Sequence, residues 1–231
     1  MNKVCVFGGS GFLGSHVADA LTEKGFYVRL FDKKKSNWLQ SSQEMFLGDL
    51  LNPDEVHSAV KGMDYVYNFA ALADLNDGLL NPLKTINVNI LGNANILEAC
   101  RKLSIKRFIF ASSVYINSRE GGFYRCSKYS AEQYVEEYQK VYNLDYTILR
   151  YGSLYGPRSN FTNGLYNIIK KSIESGVVSY SGNSESLREY IHVEDASKAS
   201  VVALNDDFRN QSVVLTGQEP MRVDDLLKMI V

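Results

Sequence analysis

The feature that most constrains this 231-residue chain is Gly8-Gly9-Ser10-Gly11-Phe12-Leu13-Gly14, set between an apolar strand-like run and a segment of helical period. A strand must turn sharply into a helix here, and three glycines answer separate needs. Gly8 lets the chain turn, Gly11 lets backbone approach a pyrophosphate, and Gly14 lets the helix pack closely on the strand. The phosphates then sit at the positive end of the helix. Gly8, Gly11, Phe12, Leu13 and Gly14 are therefore the candidate dinucleotide cradle. The next strand-like run ends in Asp32, 18 residues beyond Gly14. A carboxylate there can bond a ribose 2′-hydroxyl and repels a 2′-phosphate, which favours NAD over NADP. Lys33-Lys34-Lys35 follows and reads as a solvated turn, although a cation beside Asp32 could partly accommodate a 2′-phosphate.

Beyond the cradle, apolar runs of strand length alternate with longer helical segments, the pattern of βαβ units building a parallel sheet. Strands are expected at 3–8, 27–32, 44–48, 65–70, 107–111 and 146–150, and helices near 12–24, 54–61, 87–102 and 127–142. In the last helix Ala131, Tyr134, Val135, Tyr138, Val141 and Tyr142 form one apolar stripe, read as core. After Arg150, glycines punctuate shorter elements, which is where a substrate-binding annex would sit.

Composition narrows the function classes. Twenty-five Lys and Arg against 26 Asp and Glu leave a formal charge of −1, too little basic field to hold nucleic acid or an anionic membrane. No run reaches the ~18 apolar residues of a membrane span, and the start lacks a signal-peptide layout. Cys5, Cys100 and Cys126 are too few and too scattered for a disulfide framework or a zinc site. A soluble cytoplasmic protein with reduced thiols is expected.

A second constellation carries chemistry. Tyr124 and Lys128 stand at i and i+4, one helical face, so an ammonium near a phenol could lower its pKa and make it a general base. With 15 tyrosines in the chain, a chance pair is the plain alternative. Ser112-Ser113 follows the apolar run at 107–111, at the carboxyl end of a parallel strand, where open α/β sheets place ligands.

These residues resemble the extended short-chain dehydrogenase/reductase superfamily, in its NAD-dependent epimerase/dehydratase branch acting on nucleotide sugars. The resemblance covers nearly the whole chain and rests on eight ordered matches. They are the spacing of Gly8, Gly11 and Gly14; Gly48-Asp49-Leu50; Asn68-Phe69-Ala70-Ala71; Asn89-Ile90-Leu91-Gly92-Asn93; Ala111-Ser112-Ser113; Tyr124 with Lys128; the run from Leu149 to Pro157; and Arg188-Glu189-Tyr190-Ile191-His192-Val193 with Asp195. It implies an α/β, Rossmann-type doubly wound parallel sheet with a small C-terminal α+β substrate-binding annex. By the same resemblance Asp49 and Leu50 hold the adenine, Ala70 and Ala71 line the dinucleotide channel, and Asn89 supports the water or cofactor network. Ser113 bonds the reacting sugar hydroxyl, Tyr124 takes its proton, and Lys128 bonds the nicotinamide ribose. Tyr151 to Ser153 flank the nicotinamide, and Arg188 grips the substrate diphosphate as a bidentate cation. Plainer roles compete: Asp49 or Asn89 as helix caps, Arg188 as an ion-pair partner of Glu185 or Glu189, and His192 as a structural histidine.

Departures from the family pattern also inform. Val114-Tyr115 follows Ser113 at once, so counting back from that tyrosine selects Ala111, which has no hydroxyl; counting from the strand end selects Ser113, with Ser112 as fallback. The loop from 114 to 123 is short and lacks proline. No carboxylate occupies Val114 to Asn117, which argues against a dehydratase. The expected function is NAD-dependent epimerisation of a nucleotide sugar, most plausibly at C4 through a keto-sugar, by a homodimer pairing through segments 87–102 and 127–142. The alternatives are a net reductase of a keto-sugar or other carbonyl, and a dinucleotide-binding regulator with little catalysis. Residues 1–150 are expected to form the NAD-binding domain and 151–231 an abbreviated substrate-binding region, the chain stopping inside a helix-like pattern, with some of its elements packed back on the sheet.

Overall fold

The computed structural model describes residues 1–230, apart from the side chain of Asn76. In chain order the elements are β1 (Lys3–Phe7), α1 (Phe12–Glu23), β2 (Tyr27–Asp32), β3 (Glu44–Leu47), α2 (Pro53–Val60), β4 (Tyr65–Asn68), α3 (Leu75–Leu80) and α4 (Pro82–Ile86). A π-helical turn, Asn87–Leu91, leads into α5 (Gly92–Lys102), followed by β5 (Arg107–Ser113), a 3-10 turn at Val114–Asn117, α6 (Gly122–Tyr142) and β6 (Tyr146–Tyr151). The remainder holds β7 (Ser153–Tyr155), α7 (Gly164–Ser175), β8 (Leu187–His192), α8 (Val193–Val202), β9 (Gln211–Leu215), β10 (Pro220–Arg222) and α9 (Val223–Ile230). Val231, the end of the helix-like pattern, lies outside the described residues.

The main sheet has the order β3-β2-β1-β4-β5-β6-β9, and every pair in it is parallel. That is the doubly wound order, whose strand direction of growth reverses between β1 and β4 and opens a crevice at their carboxyl ends. Parallel strands covered on both faces must be apolar throughout, and all seven residues of β5 are buried. Alternate side chains enter opposite cores: Phe108 and Phe110 join the layer with α5 and α6, while Ile109 and Ala111 join Val17 and Ala18 of α1.

Three expectations change. β5 runs two residues further than 107–111, so Ser112 and Ser113 are strand residues. Helix α6 begins at Gly122, because Gly121 takes a left-handed φ of +90° as its N-cap, and Tyr124 is thereby helical. The stripe of α6 is core only in part: Ala131 and Val135 are buried, whereas Tyr134 and Tyr142 are each 50% exposed.

The region after Arg150 is split. β7, β8 and β10 form a separate three-stranded sheet, but β9 pairs with β6 in the main sheet and α8 packs across α1.

Candidate active site

The glycine turn forms as its spacing requires. Gly8 has φ +75°, and a Cβ there would lie 2.6 Å from the Ala70 nitrogen. A Cβ on Gly14 would lie 2.2 Å from the Gly8 carbonyl oxygen, so only glycine allows this approach of helix to strand. Gly11 differs: a Cβ on it would meet nothing but the Gly8 oxygen, at 3.2 Å. It caps α1 without a side-chain hydrogen bond, leaving the first-turn N–H groups of Phe12 and Leu13 without a side-chain acceptor. The Asp32 carboxylate at the end of β2 accepts from Ser10 N at 3.1 Å and Lys34 N at 3.3 Å. Ser10 Oγ donates to the Lys34 carbonyl at 2.7 Å, which ties the glycine turn to the chain leaving β2.

Beyond β3, Asp49 accepts from Leu51 N at 2.9 Å and pairs with Lys33 Nζ at 3.1 Å. The Leu51 bond, with Lys33 behind it, holds the Asp49 carboxyl below the usual range. The cap of α2 is Asn52 rather than Asp49. Leu50 is buried against Gly92, where a Cβ would lie 2.5 Å from the Leu50 side chain. Ala70 and Ala71 follow β4 at the crevice, and Asn68 Oδ1 fixes the turn by accepting from Ala70 N at 3.0 Å.

Asn89 caps no helix. It is buried inside the π-helical turn, a distortion frequent at functional sites. Its Nδ2 donates to Ser127 Oγ at 2.9 Å and to the Leu72 carbonyl at 3.1 Å, and its Oδ1 accepts from Leu72 N at 2.7 Å. Its polar atoms are thus spent on protein groups, and its role is to position. Ser127, which the sequence reading missed, passes the link on by donating to the Tyr124 carbonyl at 2.8 Å.

Ser113, Tyr124 and Lys128 converge at the carboxyl end of β5. The Ser113 hydroxyl lies near the Tyr124 phenol and favours its phenolate. Burial outweighs it and pushes the Tyr124 phenol up to about 12, with the Tyr115 phenol adding to the rise. Burial pushes the Lys128 ammonium down to about 8, against the opposing pull of Glu132. Lys128 Nζ donates to the Ala111 carbonyl at 2.6 Å and stands 5.8 Å from the centre of the Tyr124 ring. The expected lowering of the phenol by Lys128 is therefore not what the geometry gives; the polar group acting on that phenol in the favourable sense is Ser113. Ser112, the fallback, is buried with a hydroxyl that has no partner among the described residues.

Tyr151 corrects another expectation. Its side chain enters the core and its hydroxyl meets Ser200 Oγ at 2.6 Å, so its phenol does not flank a nicotinamide. Ser153 begins β7 and registers against Tyr190 of β8. Arg188, also on β8, donates to the Leu187 carbonyl at 3.1 Å and forms no ion pair with Glu185 or Glu189 among the described contacts. His192 is structural: its Nδ1 accepts from Glu194 N and caps α8.

Similarity to known proteins matches this geometry. The chain is 29% identical over 249 residues to a putative UDP-glucose 4-epimerase of Methanocaldococcus jannaschii, covering 98% of this chain and 81% of that protein. Among solved structures it resembles the UDP-glucose 4-epimerase of Thermotoga maritima with UDP-glucose at a TM-score of 0.91 and 27% identity, over 100% of this chain and 81% of that one. The Thermus thermophilus UDP-glucose 4-epimerase complex with NAD gives 0.87 and 26%, over 99% and 82%. Residues 4–215 match the description of one family, and the chain belongs to it: the NAD dependent epimerase/dehydratase family.

Proposed function

We propose that this chain is an NAD-dependent nucleotide-sugar epimerase acting at C4 through a keto-sugar. The observation that carries the reading is the convergence of Ser113 at the end of β5 with Tyr124 and Lys128 of α6, anchored by the Lys128 bond to the Ala111 carbonyl, at the sheet edge that also carries the glycine cradle. The cradle fits a dinucleotide: Gly11 leaves the space a Cβ would fill, the first turn of α1 has no side-chain cap, and Asp32 presents a carboxylate at the ribose end. Gly8, Gly11, Phe12, Leu13 and Gly14 would hold the pyrophosphate, Asp32 the ribose, Asp49 and Leu50 the adenine side, and Ala70, Ala71, Lys128 and Ser153 the remainder of the channel, which Asn89 supports through Leu72 and Ser127. When bound, NAD supplies the hydride acceptor and donor through which a sugar carbinol becomes a ketone and returns in either configuration.

The chain's own groups handle the proton and the substrate. Ser113 bonds the reacting sugar hydroxyl, Tyr124 takes its proton and later returns it, and Arg188 holds the diphosphate. Val114, Tyr115, Ile116 and Asn117 carry no carboxylate, so the second acid and base of a water elimination are missing there. Residues 1–150 act as the cofactor half and 151–231 as the substrate half, with β9 and α8 returned to the first. Exposed Tyr129, Tyr134, Val141 and Tyr142 on α6 support pairing of two copies through α5 and α6. Buried Cys5 and Cys100, their thiols pushed up by burial, suit a reducing cytoplasm, and no helix among the described residues is long and apolar enough to cross a membrane.

Purified protein incubated with UDP-glucose or UDP-galactose is expected to interconvert them by proton NMR, with no net change in nicotinamide absorbance. A net reductase would change that absorbance in proportion to product. Tyr124→Phe is expected to lose roughly 10²-fold or more in rate, and an unchanged rate would remove the assigned mechanism.

A further inference from the structure

We infer that Tyr115 reads the sugar of the substrate, standing between the residue that holds the diphosphate and those that handle the reacting hydroxyl; the inference rests on the reading above. The immediate succession of Ser113, Val114 and Tyr115 puts this phenol two residues past the strand end, and the surrounding structure pins it there. Its N–H donates to Ser113 Oγ at 3.3 Å. Its carbonyl accepts from Ser118 N at 2.9 Å and Ser118 Oγ at 3.0 Å. Arg125 Nη1 donates to the Ser118 carbonyl at 2.9 Å, fastening the turn to α6. A Cβ on Gly121 would stand 3.1 Å from Tyr115 Cγ, so the ring rests against a residue that must stay small.

The phenol faces both halves of the protein. Ser113 of β5 pairs with Tyr151 of β6, and Ser153, two residues on, pairs with Tyr190 of β8, so the register brings β8 to the end of β5, where Tyr115 helps to raise the phenols of both Tyr124 and Tyr190. Arg188 and Tyr190 are two apart on a strand and share one face. Arg188 and Tyr190 of β8 thus lie on the annex side, and Tyr115, Tyr124 and Ser113 on the sheet side, of the place where β8 meets the end of β5. With the diphosphate at one end and the reacting hydroxyl at the other, the pyranose spans the interval that Tyr115 occupies. A phenol suits that place, giving a donor and acceptor for a ring hydroxyl and an aromatic face for its C–H groups.

The test is calorimetric binding to the NAD-loaded protein, wild type and Tyr115→Phe, with UDP and with UDP-glucose as probes. Phenylalanine keeps the packing on Gly121 and removes one hydroxyl. Loss of one hydrogen bond is expected to weaken UDP-glucose about fivefold to tenfold, with UDP unchanged within about twofold. Equal losses for both probes, no loss for either, or a wild type that binds UDP-glucose no better than UDP would each overturn the assignment. Binding is independent of turnover: a sugar-specific loss in a protein that interconverts no sugar would sink the epimerase reading and leave Tyr115 standing. Turnover without that loss would do the reverse.

Discussion

Lys128 Nζ donates to the carbonyl of Ala111 at 2.6 Å, which fixes a buried cation beneath the last residues of β5 and 4.8 Å from the Phe110 ring. The bond runs from a helix to a strand and holds α6 in register with Ser113. It also leaves a charge where burial opposes charge.

That opposition has a measurable pH signature. The folded pKa of Lys128 is about 8, below the unfolded value of ~10.4, so the folded protein gives up this proton first. Stability from this group therefore rises as pH climbs from about 8 toward ~10.4 and is at its lowest below both values. Urea titrations of wild type and Lys128→Met at pH 7 and pH 10 are expected to differ in that sense. Wild type gains about 2 kcal/mol relative to the variant over the interval, while the variant loses turnover at both pH values. A pH-independent difference would mean that Lys128 is not a buried charge.

The two serines ending β5 separate cleanly. Ser113 lies near the Tyr124 phenol and accepts from Tyr115 N, whereas the Ser112 hydroxyl is buried without a partner among the described residues. Ser113→Ala is expected to lower kcat by roughly 10²-fold. Ser112→Ala is expected to leave turnover within about twofold and to be neutral or stabilising by about 1 kcal/mol, since it removes an unsatisfied buried group. Loss of turnover in Ser112→Ala alone would exchange their roles.

Period and turn chemistry make much of this legible in the sequence. Gly8, Gly11 and Gly14 located the crevice, and the apolar run at 107–111 located Ser113, because both signals are local. What failed was non-local or conformational. The start of α6 was hidden because Gly121 and Gly122 read as loop, and only their positive φ values show a helix beginning there. Tyr151 shares a strand face with buried Leu149, a period-2 signal that was present and that the motif around it obscured. The partners of Asn89, Leu72 and Ser127, are 17 and 38 residues away, beyond the reach of any periodicity. Tyr134 and Tyr142 carry the apolar pattern of a core and lie exposed, which is what a helix covered by a second copy would show; Tyr134→Glu with Tyr142→Glu is expected to give a monomer by light scattering.

Asn89 should behave as a structural hub whose loss reaches the site. Asn89→Leu strands the Leu72 N–H and carbonyl and leaves Ser127 without its donor. Buried groups left unpaired cost about 1–3 kcal/mol each, so a loss of at least 2 kcal/mol is expected in chemical denaturation. Ser127→Ala removes only the last link, and is expected to cost about 1 kcal/mol with a larger effect on kcat than on KM, because the carbonyl it releases belongs to Tyr124. A Ser127→Ala variant that changes KM alone would separate this chain of bonds from the phenol.

Two glycines should divide by what a methyl group would meet. At Gly62 the φ is +79° and a Cβ meets nothing within 4 Å, while at Gly14 it would stand 2.2 Å from the Gly8 carbonyl oxygen. Gly62→Ala therefore carries only the backbone cost of a positive φ, about 1–2 kcal/mol, and should retain its nicotinamide. Gly14→Ala forces α1 away from the turn after β1 and opens the cradle at the point where first-turn N–H groups meet a phosphate. Nicotinamide released on denaturation is the measurement. Wild type and Gly62→Ala are expected to release equal amounts per chain, and Gly14→Ala less than about a tenth as much, corresponding to roughly 1.7 kcal/mol or more of lost affinity near half-saturation. Equal release from all three would show that close packing of α1 on β1 does not shape the cradle.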